Sequence, residues 1–209
     1  MNKFLALALI TISTLTSFGQ NFEGKITYSN SYESKNLQIT NQQWLSMMGN
    51  KQEFYIKNGD YKSVTNGTLM QWQLYVNADN KIYSKMSNSE TVFWNDGLSN
   101  PDSIVNVQLN KNVIEILGYN CDELILTCKS GTQKYYFNSA LMVNVKLFEN
   151  HLFGNWYDFL KESKALPLKI IIDNSQFTME NIATGVEKIK LSKKDFQLPE
   201  NVKTAKSPY

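Results

Sequence analysis

The chain has 209 residues with 21 Lys, 19 Asp and Glu, one His, two Cys and no Arg. A formal net charge of +2 excludes a strongly basic nucleic-acid binder and an acidic solvating tail, and without Arg there is no bidentate guanidinium recognition of phosphate or carboxylate. At 42% hydrophobic and 12% aromatic residues the chain is too apolar for disorder, and one His with two Cys is too few for a multi-ligand zinc site, so neither metal nor cofactor is expected.

Met1-Asn2-Lys3 supplies a short positive start and Phe4 to Ile10 an apolar run, with Ser17 and Gly19 as small residues at −3 and −1 of a cut before Gln20. Residues 1–19 therefore read as an export signal and 20–209 as a single mature domain. The apolar run is too short to span a bilayer, which takes about 20 residues, and no later stretch is long enough either. Neither Cys lies near the cut, so no lipid anchor is expected on the first mature residue. The expectation is a periplasmic or secreted protein, not an integral membrane one.

Along the mature chain, short β-runs separated by turn dipeptides dominate. Phe22 to Glu33 opens as a strand. Thr40-Asn41-Gln42-Gln43 fits a capping box for a short helix carrying Trp44, Leu45 and Met48, with Gly49 suited to its C-terminal cap. Phe54-Tyr55-Ile56 runs into the hairpin signal Asn58-Gly59, Tyr61 to Thr65 returns, and Asn66-Gly67 makes a second hairpin into Leu69 to Val76. Strands over Ile82–Ser84, Thr91–Trp94, Ile104–Leu109, Val113–Leu117, Cys121–Cys128 and Gln133–Phe137 continue the meander. A longer amphipathic helix is predicted over Phe148 to Glu162. Phe148, Leu152, Phe153, Trp156, Phe159 and Leu160 fall within one arc of roughly 140°, and His151 falls on the polar side. Leu166–Asp173, Gln176–Ala183 and Val186–Leu191 return to strands, with a bulge near Glu187. Phe196-Gln197-Leu198-Pro199 closes the domain, and Lys203 to Tyr209 reads as frayed.

Few residues carry a chemical signature. Cys121 and Cys128 sit on one strand with opposite parity, their Cα atoms about 23 Å apart, against the roughly 4–7 Å that a disulfide needs. A bridge would require a different local fold, so two free thiols are expected. His151 reads as a solvated surface residue. Asp122 and Glu123 point to opposite faces of a strand and cannot share a proton. No Gly-rich phosphate loop and no nucleophile elbow is present, so no enzyme is expected. The aromatic inventory, four Trp with eleven Tyr and eleven Phe, is the one unusual feature. It fits either core packing of a sheet on helices or the lining of a cavity for an apolar ligand.

The order of sheet meander, inserted aromatic helix and closing strands resembles the half-open β-barrel of the periplasmic lipoprotein carriers, the LolA/LolB and LppX group. Gly118-Tyr119-Asn120-Cys121, Leu166-Pro167-Leu168-Lys169 and Phe196-Gln197-Leu198-Pro199-Glu200-Asn201-Val202-Lys203 look like short patterns of an uncharacterised secreted family with that fold, over residues 22 to 203. Leu166 stands where that family usually has Gly, and the Arg in the carriers' cavity has no counterpart here. The resemblance implies an α+β, mainly β architecture: a curved antiparallel sheet with one or two helices on its concave face. It also implies a cavity for a lipid, an acyl chain or a lipidated protein. Phe148, Leu152, Trp156, Phe159 and Leu160 are the candidate ligand-binding wall. The competing expectation is an envelope interaction protein whose core is filled and which takes no small-molecule ligand.

Overall fold

Turn chemistry and side-chain alternation set the course of the chain. The computed structural model describes residues 21–208; the expected export signal lies outside them. The order is β1 (Gly24–Ser34), α1 (Asn41–Met48), β2 (Lys51–Lys57), β3 (Asp60–Thr65), β4 (Met70–Val76), β5 (Lys81–Met86), β6 (Val92–Asp96), β7 (Ile104–Ile116), β8 (Tyr119–Cys128), β9 (Gly131–Met142), α2 (Trp156–Ser163), β10 (Ala165–Asn174), β11 (Phe177–Glu187) and β12 (Thr204–Lys206). The Asn58-Gly59 turn, with φ of 48° and 89°, joins β2 to β3 and fixes Ile56 opposite Tyr61. The capping box forms at α1 as its sequence predicts.

All the strands form one open, curved, mixed sheet in the order β12-β6-β5-β4-β3-β2-β1-β11-β10-β9-β8-β7. It consists of two antiparallel meanders, β2–β6 and β7–β11, joined through β1, which pairs with both β2 and β11. Only β12 runs parallel to its neighbour, β6. The described residues are thus mainly β with two short α-helices.

One apolar cluster joins inward residues of both wings to α2. Ile26, Ile56, Tyr75 and Ile82 come from one wing, Leu124, Leu126 and Tyr135 from the other, and Phe148, Phe159 and Leu160 lie between them. Trp156 rings Phe54 and Tyr61 at centroid distances of 6.4 and 6.0 Å, and Phe159 stacks on Tyr135 at 4.2 Å. A helix can touch both wings only if the sheet curves around it. On the outer face a second, smaller cluster of Leu74, Tyr83 and Val92 is covered by Phe196, with Leu198 and Val202 beside it.

Four sequence expectations differ from the structure. The two predicted strands Ile104–Leu109 and Val113–Leu117 are one strand, interrupted between Asn110 and Ile114 by a bulge at which Asn112 adopts φ 52°. The bulge in β11 falls at Thr184, where the register on β1 shifts, and not near Glu187. The predicted strand over Val186–Leu191 ends at Glu187. Within the tail expected to fray, Thr204–Lys206 pairs with β6, the segment before it being anchored on the outer cluster; Tyr209 lies outside the described residues.

Candidate functional site

The segment expected as one helix from Phe148 to Glu162 is in three pieces, and the break builds the site. A 3₁₀ turn over Val145–Phe148 is capped by the Asn144 side chain, a second covers Phe153–Asn155, and α2 starts at Trp156. Gly154 and Asn155 both take left-handed backbone, φ 65° and 62°, through which no right-handed helix can run. The amides of Leu152 and Phe153 turn instead to the Gly97 carbonyl, at 2.7 and 3.0 Å. This ties the break to the link between β6 and β7. Asn155, fully buried, donates to the Cys128 thiol at 3.3 Å and accepts from Asn100 at 2.7 Å. Asn155→Ala removes both bonds and places Ala in a left-handed conformation. We expect a loss of about 2 kcal/mol in urea denaturation, and no loss would show that the break does not depend on this side chain.

The break also reverses the expectation for His151. A continuous helix puts it on the solvent side, but the chain turns it inward, where it is 1% exposed. Its ring lies 4.2 Å from that of Tyr75 and 5.7 Å from that of Tyr61, and its Nε2 shares a 2.8 Å hydrogen bond with the Tyr61 hydroxyl. Burial holds its pKa down at about 4 and raises that of the Tyr61 phenol.

Of the candidate wall residues, Phe148, Phe159 and Leu160 are at most 1% exposed and fill the core. Leu152 is half-buried beside Gly97. Phe148 also borders a cleft of only about 10 Å³, whereas Trp156 lines a pocket of about 150 Å³ on the concave face. Its other walls are Tyr28, Gln52, Phe54, Tyr61, Ser63, Gln73, Pro167 and Ile170. A wider groove of about 250 Å³ runs between residues 21–23 and 188–190, and three of its six lining residues, Glu23, Lys188 and Lys190, are charged.

Strand register explains why the Trp156 pocket is polar on one side. Ile56, Tyr61, Tyr75 and Ile82 align across β2–β5 as an apolar row. The next inward row is Phe54, Ser63, Gln73 and Ser84. Gln73 Nε2 donates to Ser84 Oγ at 3.2 Å. Beside this row, Asn181 Nδ2 donates to Gln52 Oε1 at 2.9 Å and to Asn30 Oδ1 at 2.6 Å. The pocket therefore lies where the filled apolar core gives way to an inward-facing band of amides and hydroxyls. Alternation alone does not reveal this band. It becomes visible only when the hairpin at Asn58-Gly59 is used to align Gln52, Ser63 and Gln73 on one face.

The cysteines occupy one strand, both buried and both free. Burial pushes their thiols up to about 11, which disfavours the thiolate. Among the described residues no group of three or more His, Cys, Asp or Glu could hold a metal ion. Nor is any helix there long and apolar enough to cross a membrane.

No family model and no curated protein matches the chain. Among solved structures it is similar to an uncharacterized conserved protein from Thermus thermophilus, with 4% identity over 88% of this chain and 91% of that one, at a TM-score of 0.46. It is also similar to PNGF-II, with 15% identity over 89% of this chain at a TM-score of 0.49, and it spans 32% of that protein's length. At such scores and identities function has to be read from the site.

Proposed function

We propose that this is an exported, non-enzymatic binding protein that holds an uncharged ligand, or an uncharged part of a larger one, in the concave pocket beside Trp156. The observation that carries this reading is the lining: four aromatic side chains, three uncharged polar ones, Pro167 and Ile170, with no charged group. Largely apolar walls with a few placed polar groups are the usual make-up of a small-molecule site. The size sets a scale as well, since a cavity of about 150 Å³ engineered in another protein holds one benzene molecule. A lipid, acyl chain or lipidated protein, the ligand class implied by the carrier resemblance, fits this pocket only through a short terminal part. Native mass spectrometry of the mature protein purified without detergent tests the reading. A reproducible neutral adduct supports it, and a clean apo mass after incubation with mixed lipids and small polar molecules overturns it.

The second reading, an interaction protein with a filled core, is favoured by the edge strand β7. Val105, Val107 and Leu109 are 70%, 47% and 44% exposed, and residues 104–110 contain no charge. Edge strands are commonly blunted by Lys, Pro or bulges. Here the pairing with β8 shifts at Val105 and again between Asn110 and Ile114, and Asn106–Asn110 between them runs in regular register. The occupant this strand fits is a second copy: antiparallel pairing about Val107 sets Val105 against Leu109 and Asn106 against Gln108. Analytical ultracentrifugation should then show a dimer that Val107→Lys weakens by about tenfold or more. A wild-type monomer at every concentration reached would remove this reading.

A further inference from the structure

Three buried side-chain polar atoms have no hydrogen-bond partner among the described residues: Trp156 Nε1, Asn181 Oδ1 and His151 Nδ1. Of the three, Trp156 belongs to the pocket wall, and Asn181 and His151 each lie one hydrogen bond behind it. Asn181 is bonded to the pocket residue Gln52, and His151 to the pocket residue Tyr61. Buried polar groups are satisfied in the great majority of cases, so an unpaired indole N–H on a residue of the pocket wall calls for a partner from outside the chain.

The polarity of the wall says what that partner must offer. Trp156 Nε1 can only donate. Gln52 has its amide oxygen occupied by Asn181, which leaves its NH₂ as a donor. Gln73 has its NH₂ directed to Ser84, which leaves its oxygen as an acceptor. The wall carries no cation to meet an anion and no carboxylate to meet a cation. Resting on the pocket reading above, we infer that the ligand is neutral, that the part seated here is about one ring in size, and that it carries a carbonyl or hydroxyl acceptor for Trp156 and Gln52 with a donor within reach of Gln73. A purely apolar chain end leaves the indole N–H unpaired, and a carboxylate meets no counter-charge.

Three probes of one shape separate the possibilities: benzamide, benzoate and toluene, titrated into the full mature protein while the Trp156 indole and the Gln52 side-chain amide resonances are followed by ¹⁵N NMR, the Gln52 amide serving as the readout in the variants. The expected order is benzamide tightest, by about tenfold or more over the other two. Trp156→Phe keeps a ring against Phe54 and Phe159 but removes the N–H, and should abolish most of that preference. Gln73→Met, which removes the acceptor and keeps the length, should reduce it as well, and serves if the first variant melts early. Equal binding of benzamide and toluene overturns the inference and leaves the pocket reading standing. Preferential binding of benzoate overturns both, and so does failure of all three to bind at millimolar concentration.

Discussion

Phe159→Ala is expected to cost about 3–5 kcal/mol of stability, a large part of what a domain of this size has. The side chain is fully buried, stacks on Tyr135 at 4.2 Å, and meets Phe137 at 6.1 Å and Trp156 at 5.5 Å. Because Trp156 in turn reaches Phe54 and Tyr61 on the opposite wing, this aromatic chain is what couples the two meanders across the concave face. Removing its middle ring leaves a cavity that sheet curvature alone cannot close. Phe159→Leu, which keeps most of the volume, should cost only about 1–2 kcal/mol, and Leu37→Ala, at a fully exposed position, close to nothing. Urea denaturation of the three variants, compared at equal m-values, checks the ranking. A loss below about 1 kcal/mol for Phe159→Ala would show that α2 rests on the sheet without holding its wings together.

The sequence made local structure legible where one turn or cap is enough to specify it. Asn58-Gly59 predicts its own hairpin, and Thr40 with Gln43 predicts the start of α1. Both are decided by backbone sterics and hydrogen bonds within a few residues. What was not legible depends on distant partners. Nothing near β1 announces that it pairs with β11, at the far end of the chain, and nothing in Thr204–Lys206 announces a strand until Val92 stands beside it.

The helix around Trp156 shows the same division. The apolar period across Phe148, Leu152, Phe159 and Leu160 is real and does mark residues that face the core. But Gly154-Asn155 in left-handed conformation, stabilised by bonds to Gly97, Asn100 and Cys128, overrides the helical phase between them. The residues chosen for a ligand wall are therefore mostly core. Trp156 borders the concave pocket because α2 begins at it. The polar half of the pocket is contributed by Gln52, Ser63 and Gln73, whose residue types suggest only surface until strand register places them inside.

Acid should weaken the fold through His151 before it acts through the carboxylates. The imidazole is enclosed by Tyr61, Tyr75, Trp156 and the backbone of its own turn, with no carboxylate among its contacts, and its pKa is depressed from 6.5 to about 4. Above pH 6.5 the folded and unfolded chains both carry neutral imidazole, and the group contributes no pH dependence. As pH falls below that value the unfolded chain takes up a proton that the folded chain refuses, so stability declines until the folded pKa is passed. The loss reaches about 2.5 kcal/mol by about pH 4.5 and totals about 3 kcal/mol. Glu23, Glu53 and Asp173 contribute in the same direction but later. Hydrogen bonds to Leu191 N and Lys57 at Glu23, to Lys51 and Tyr55 at Glu53, and to Lys35 and Thr178 at Asp173 hold their pKa values below the usual carboxylate range. Their stabilisation is complete above that range and lost only as pH drops through it. The decline between about pH 6.5 and about pH 4.5 is therefore carried by His151, with Asp60, whose carboxyl pKa is raised by burial, acting in the opposite direction. His151→Gln should flatten the stability profile there while leaving the steeper fall at lower pH in place. An unchanged slope in that interval would mean that the ring can leave its aromatic cage without unfolding the chain, and that the segment joining β9 to α2 moves as a unit over the concave face.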